Sequence, residues 1–340
     1  MIALEQGHAE FLIGLIFWSL LALFVFLAVF TTVRRRISAR NAASISIATS
    51  EMEPLLHQYL FGEKHLTDME TELRSRFHIV AAFRLISPMI DNFLGIERER
   101  LQQLLEIPAF SRHFERKLRS RRASQQAHAC VYYAQRKTYN AQATTVFLKL
   151  VEHPYAVLAY SATLALLNHP DLAMRRHGLF RFLARKRNSA MAIHDIVVKY
   201  AGQHPDKMLA AQELFDLAMH PSTPPRSAAA MLLLFSELGF FHLIEPLFDA
   251  LVMPKTKDHS GRRLAALITV LSEMAHPQLL QAILDHKWHE SSYRIVQLAV
   301  IHAFSQQTSH IPPEVVDAGL LSSDAEIQYL ATRLIATGAG

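Results

Sequence analysis

The chain has 340 residues, 51% of them apolar, with a formal net charge of +5 and a single cysteine, Cys130. One thiol excludes an intrachain disulfide framework and any multi-cysteine zinc or iron–sulfur centre, and it agrees with a reducing cytoplasm. Eleven glycines are too few for folds that rely on hairpin turns or phosphate-cradling loops, while plentiful Leu, Ala, Met, Gln and Arg favour helices. An all-α chain is expected.

Residues 1–10 carry Glu5 and Glu10 and no Lys or Arg. Residues 11–33, from Phe11 to Val33, hold no charge; at about 1.5 Å per residue they reach roughly 34 Å, enough for a tilted transmembrane helix. Arg34, Arg35, Arg36 and Arg40 follow at once. With cations on that side only, the positive-inside rule predicts a short extracytoplasmic N-terminus and a cytoplasmic remainder. A cleaved signal peptide would carry its charge before a shorter apolar core, followed by a small-residue cleavage site, and fits poorly. Residues 34–53 form a basic juxtamembrane segment whose part ISARNAASISIATS is small and polar, without helical periodicity, and reads as a tether.

From Pro54 onward the pattern is helix after helix. Met69 to Ile86 sets Leu73, Phe77, Val80, Ala81, Arg84 and Leu85 on one stripe. Pro88 is expected to interrupt, and Met89 to Leu105 to continue with Phe93, Ile96 and Leu101 inward. A basic helix then runs from Arg112 toward Arg136. Charge is uneven: residues 112–200 hold sixteen basic side chains against four acidic, and residues 201–340 hold nine against fourteen. A basic middle and an acidic end suit an anionic partner or a face turned to anionic headgroups.

Beyond residue 138 a repeat emerges. His-Pro recurs at His153-Pro154, His169-Pro170, His204-Pro205, His220-Pro221 and His276-Pro277. Proline suits the first turn of a helix and cannot extend the preceding one, so each pair marks a boundary, and the histidines read as turn residues rather than ligands. A second mark, an arginine with a small residue three positions on, appears at Arg175 with Gly178, Arg226 with Ala229, and Arg263 with Ala266. Arg294 keeps the arginine but has Gln297, and Gln328 with Ala331 loses it. The steps are 51, 37, 31 and 34 residues, with room between marks for helices at 190–201, 241–252, 278–287 and 313–320, and an extra one at 206–219. The segments LLNHPDLAMRRHGLF (166–180), LAMHPSTPPRSAAAMLL (217–233) and LLSSDAEIQYLATRLIA (320–336) resemble HEAT-like repeats, most clearly over residues 138–337 and by helix periodicity alone over 54–137. The resemblance implies an α-solenoid of five to seven helix pairs, in which no repeat buries its apolar face until its neighbours stack.

No signature of a nucleotide-binding loop, a G-x-S-x-G elbow or an H-E-x-x-H zinc helix is present. His286 and His289, with Glu290, could share a helix face but lack a further ligand. Deoxyhypusine hydroxylases, helical-repeat enzymes, bind iron through several His-Glu dipeptides; His289-Glu290 stands alone here. HEAT-like DNA glycosylases need tryptophans around a catalytic aspartate, and this chain has only Trp18 and Trp288. Helical-repeat bilin lyases leave no local motif to compare. Cys130, between Ala129 and Val131, reads as core filling. No catalytic, cofactor-binding or metal residue is assigned, and no cofactor is expected.

The candidate contacts for a partner or lipid are Arg112, Arg116, Lys117, Arg119, Arg121 and Arg122, with Arg185, Lys186 and Arg187 as a second cluster. Nucleic acid is disfavoured because Tyr132, Tyr133 and Tyr139 follow the basic run instead of interleaving with it. The expectation is a non-catalytic scaffold or accessory subunit, anchored in a bacterial inner membrane, whose cytoplasmic solenoid docks a protein. Envelope assembly, secretion or polysaccharide-synthesis machinery would suit it. The alternative is an enzyme or binding protein holding a small anionic ligand in an arginine-lined groove.

Overall fold

The computed structural model describes residues 2–138, 141–253, 260–307 and 311–338, with side chains from residue 18 to 336 outside the same gaps; Tyr139 and the apolar residues before Trp18 thus fall outside the described side chains. Among the described residues the structure is helix and turn with no strand, as expected. The chain divides into two compact units, residues 1–116 with 135–137, and residues 117–134 with 138–340.

The first unit is built on α1 (Ile2–Leu60), about 88 Å long at about 1.5 Å per residue. Every side chain from Trp18 to Arg40 is exposed. Only from Ala48 does α1 bury a face, through Ala48, Met52, Leu56, Tyr59 and Leu60 at helical spacing, packed on α3. The tether expected over residues 34–53 is therefore corrected: the segment is helix, because Ala48 and Met52 already belong to the face seated on the next helices. Of the span expected over residues 11–33, the side chains of 11–17 lie outside those described. Among the described residues no helix is long and apolar enough to cross a membrane.

The stripe expected from Met69 to Ile86 is broken. The chain forms α2 (Leu66–Glu72) and α3 (Arg76–Asn92), separated where Ser75 Oγ accepts from the backbone N–H of His78 at 3.1 Å and caps the second helix. Of the expected stripe Leu73 and Ala81 are buried and Phe77, Val80 and Leu85 half-buried, but the buried face of α3 centres on Ile79, Ala82, Phe83, Ile86 and Ile90, leaving Arg84 exposed. Pro88 lies inside α3 rather than ending it. In α4 (Gly95–Leu105), Leu101, Leu104 and Leu105 point inward, whereas Phe93 and Ile96, expected inside, are exposed because Phe93 leaves the helix as its C-cap. The expected basic helix is also two helices, α5 (Pro108–Leu118) and α6 (Ala123–Gln135). Ser120 Oγ accepts from Arg122 N–H at 3.2 Å between them, a local turn that competes with helix. Phe83 and Phe114 meet with ring centroids 4.6 Å apart in the first unit's core.

The second unit continues as helical hairpins. They are α7 (Ala141–Val151) with α8 (Ala156–Leu167), α9 (Leu172–Leu183) with α10 (Ala190–Gln203), and α11 (Lys207–Met219) with α12 (Pro225–Leu232). After the short α13 (Leu234–Glu237) come α14 (Ile244–Val252) with α15 (Arg262–Glu273), α16 (Leu279–Asp285) with α17 (Arg294–Gln307), and α18 (Pro313–Leu320) with α19 (Ala325–Gly338). Helices α8, α10, α12, α15, α17 and α19 stack one on the next in a single row. Their partners form a second row, so the unit is solenoid-like. The arginine marks fall on α12, α15, α17 and, without its arginine, α19, all in the stacked row. Arg175 lies on α9 in the other row, which explains the 51-residue step: three helices rather than two separate successive starts.

All five His-Pro pairs sit between helices, and they share one geometry. The histidine Nδ1 accepts the backbone N–H two residues on: Tyr155 on His153 at 3.1 Å, Asp171 on His169 at 2.9 Å, Asp206 on His204 at 3.1 Å, Ser222 on His220 at 3.2 Å, and Gln278 on His276 at 3.3 Å. Proline, with no N–H, occupies the position between, so the imidazole does what an Asx side chain does in a turn. Arginines then fasten three of these turns by the histidine carbonyl: Arg185 Nη2 to His153 O at 2.9 Å, Arg175 Nε to His169 O, and Arg263 Nη2 to His220 O at 3.0 Å and to Thr223 O.

The acceptor role requires a neutral Nδ1. Burial holds His169 below the usual histidine range. With a folded pKa below the unfolded one, its stabilising contribution is complete above about pH 6.5 and is lost as pH falls through the folded value. A thermal melt repeated from pH 7.5 to pH 5 should show a falling midpoint, and His169→Asn, which keeps an acceptor without titrating, should flatten that slope.

Close approach also explains the glycine of the first mark. A Cβ on Gly178 would stand 2.8 Å from Leu166 Cδ1 and 3.0 Å from Leu166 Cβ, so α8 and α9 touch through that gap. Gly178→Val is expected to cost about 1–3 kcal/mol by overpacking, seen as a lower melting midpoint, despite valine's better helix propensity.

Candidate functional site

The two basic clusters are not alike. Arg112 and Arg116 are exposed on α5 in the first unit, with Arg112 Nε donating to Pro108 O at 3.3 Å. In the second unit Arg119, Arg121 and Arg122 are exposed in the turn after α5, while Lys117 is half-buried with Nζ 3.0 Å from His128 Nδ1. Lys186 and Arg187 are exposed. Arg185 is not available for a partner: besides His153 O it donates to Asn188 Oδ1 at 3.2 Å, and burial lowers its pKa from the usual arginine value. The topology-setting Arg34, Arg35, Arg36 and Arg40 are exposed on α1.

The remaining sequence candidates resolve simply. Cys130 is fully buried in α6 and burial pushes its thiol up to about 12, so almost no thiolate forms at neutral pH. His286 and His289 do not share a helix face: α16 ends at Asp285, Lys287 adopts left-handed backbone, and a 3-10 turn covers Trp288–Glu290. His286 stacks on Trp288 with centroids 4.9 Å apart, while His289 turns inward. Among the described residues no group of three or more His, Cys, Asp or Glu side chains could hold a metal ion.

The sequence reading missed two grooves in the second row of the solenoid. Where the stacked row packs helix on helix, α9, α11 and α14 stand apart. The α9–α11 groove has a volume of about 560 Å³, with Leu172, Phe180, Leu209 and Leu217 on its apolar surfaces and Arg176, His177, His204, Glu213 and His220 among its polar lining. Glu213 is the hub. Its Oε2 accepts the Tyr200 hydroxyl, Arg176 Nη1 lies 3.5 Å from Oε1, and His204 Nε2 lies 3.9 Å from Oε2. Burial and this carboxylate raise the Tyr200 pKa well above the usual phenol value, keeping the phenol a donor. His204 turns Nδ1 to the Asp206 backbone and Nε2 to Glu213. The polar groups are thus turned on one another. The α11–α14 groove has a volume of about 510 Å³ and is lined by Phe215, Asp216, Met219, His220, Pro246, Asp249, Ala250 and Met253. Neither groove leaves a local motif: each depends on how far apart non-consecutive helices stand. Compared with known proteins, the chain matches no protein-family model and none of the curated proteins.

Proposed function

We propose that this is a membrane-anchored, non-catalytic scaffold or accessory subunit with a cytoplasmic solenoid of HEAT-like repeats that docks a protein partner at the bilayer. The observation that carries the reading is the uncovered helix: Trp18, Phe24 and Phe26 are 67%, 70% and 63% exposed, and every described side chain from there to Arg40 on α1 is exposed too. Water does not tolerate an apolar cylinder of that size, and together with residues 11–17 its length matches a bilayer core. Continuity of α1 into the face packed on α3 makes the link to the folded body a rigid helix, so a docked client is confined near the membrane and its effective concentration raised. Exposed Arg112, Arg116, Arg119, Arg121, Arg122, Lys186 and Arg187 supply cations for an acidic client or for anionic headgroups, at about 1 kcal/mol per residue near the surface. A bacterial inner membrane, with envelope assembly, secretion or polysaccharide synthesis as the client machinery, fits this arrangement.

The small-anion reading stands second, since Arg176, the one guanidinium lining the α9–α11 groove, already faces Glu213. Affinity capture from solubilised membranes tests the choice, comparing the wild type with Arg119→Glu/Arg121→Glu/Arg122→Glu. Loss of a stoichiometric co-purifying protein or of liposome binding supports the scaffold. Loss of small-molecule binding alone contradicts it.

A further inference from the structure

We infer that the groove between α11 and α14 is a docking site for a basic amphipathic helix of a partner protein. The inference rests on the reading of the solenoid as a docking body and not on the membrane anchor. Each wall repeats at helical spacing: Phe215 and Met219 on α11, and Pro246, Ala250 and Met253 on and just beyond α14. Met253 is 67% exposed, an apolar side chain on the rim that nothing among the described residues covers. A trough between two helices accepts the i, i+3, i+4, i+7 face of a third helix. Two methionines suit that use, because an unbranched thioether side chain adapts its shape to the helix it meets.

Charge selects the occupant. Asp216 and Asp249 are exposed, and the described lining residues include no Lys or Arg. Gln212 Nε2 donates to Asp216 Oδ1 at 3.0 Å, a neutral partner that leaves the carboxylate charge in place. Residues 201–340 as a whole hold fourteen acidic against nine basic side chains, so the surrounding field has the same sign. Anionic headgroups and acidic peptides are repelled from such a rim. The neighbouring α9–α11 groove makes a useful contrast, because its Glu213 is already met by Arg176 and Tyr200. A helix with leucines on one face and lysines or arginines along its flanks would bury the apolar walls and set its cations against the two aspartates. Polar contacts of this kind add orientation and speed of encounter to the affinity of the apolar face.

The test uses the full chain in nonionic detergent, with empty micelles as the blank. The probe is a fluorescein-labelled helical peptide of about 18 residues with leucines at i, i+3, i+4 and i+7 and lysines elsewhere; a glutamate version is the control. The lysine peptide should raise the anisotropy of the wild type, and added salt should weaken it. Asp216→Lys/Asp249→Lys should bind it at least about tenfold more weakly, and the glutamate peptide should not bind the wild type. Both aspartates are exposed, so the double variant should keep its helix content and melting midpoint. Failure of the lysine peptide to bind, equal binding by the double variant, or equal binding of the glutamate peptide overturns the assignment. Self-association of the wild type that the double variant loses, read by sedimentation, would make the occupant a second copy's Arg34–Arg40 helix and also overturn it. None of these outcomes alters membrane fractionation, so this inference and the anchor fail separately.

Discussion

Introducing Leu23→Arg and Phe26→Arg together is expected to move the protein from the membrane fraction to the supernatant. Both side chains are exposed on α1, 53% and 63%, and the ring that Phe26 meets, Phe30, is on the same helix, so the folded body should be untouched. Each arginine near the centre of a bilayer-spanning helix costs about 2.5–3.5 kcal/mol on insertion scales, and two adjacent turns carry the penalty together. Ile47→Arg is the matched control. It is equally exposed, at 59%, on the same helix but past the cationic cluster, and should leave partition unchanged. Alkaline carbonate extraction followed by immunoblotting reads both.

The second large effect belongs to Arg263. This side chain is buried at the start of α15, yet its Nη2 reaches back to the carbonyls of His220 and Thr223, between α11 and α12. It ties one hairpin to the next across the stacked row. Arg263→Ala leaves two carbonyls without their charged donor and removes packing from the same spot, for an expected loss of about 2–4 kcal/mol. In a solenoid each repeat is stabilised by its neighbours, so the loss should spread to α11 and α14. Hydrogen exchange would report earlier opening of both together with a lower melting midpoint. Arg226, which occupies the same place in the neighbouring mark but is exposed, should tolerate alanine with a change within about 0.5 kcal/mol.

The contrast between Arg263 and Arg226 shows what the sequence could and could not say. Repeated His-Pro pairs and arginine marks were legible because each encodes a local event. An imidazole accepts an N–H two residues on, a proline removes the competing donor, and the helix restarts with Asp171 or Asp206 as its cap. Helices at 190–201, 206–219 and 313–320 follow from those signals and are found within a residue or two. Which arginine turns inward depends on a carbonyl some forty residues away, which no local pattern contains. The same limit hid the break between α2 and α3: the apolar periodicity from Met69 to Ile86 is continuous, and only Ser75 capping His78 reveals two helices. It misread residues 34–53 as well, since small polar residues can form helix once Ala48 and Met52 find a packing surface. Of the candidate contacts, exposure of Arg119, Arg121 and Arg122 could be foreseen from charge alone. The recruitment of Arg185 to the His153 turn could not, and neither groove beside α11 could be seen without knowing the spacing of α9, α11 and α14.

Gly178 ties the two kinds of information together. Its place in the mark predicted a small residue, and the 2.8 Å approach of Leu166 gives the reason. Where sequence marks carry such a steric demand, the close packing of one helix on the helix before it is readable in advance. Where the demand is only the absence of a helix, as beside α11, it is not.

The claim on which the account turns is an N-terminal helix held in lipid with the solenoid facing the cell interior. Protease protection tests it directly, using an antibody to the C-terminal residues on intact cells and on inside-out vesicles. The account predicts that the solenoid survives protease outside intact cells and is digested in the inverted vesicles. Digestion in intact cells, or recovery of the protein in the soluble fraction before any protease is added, would contradict it.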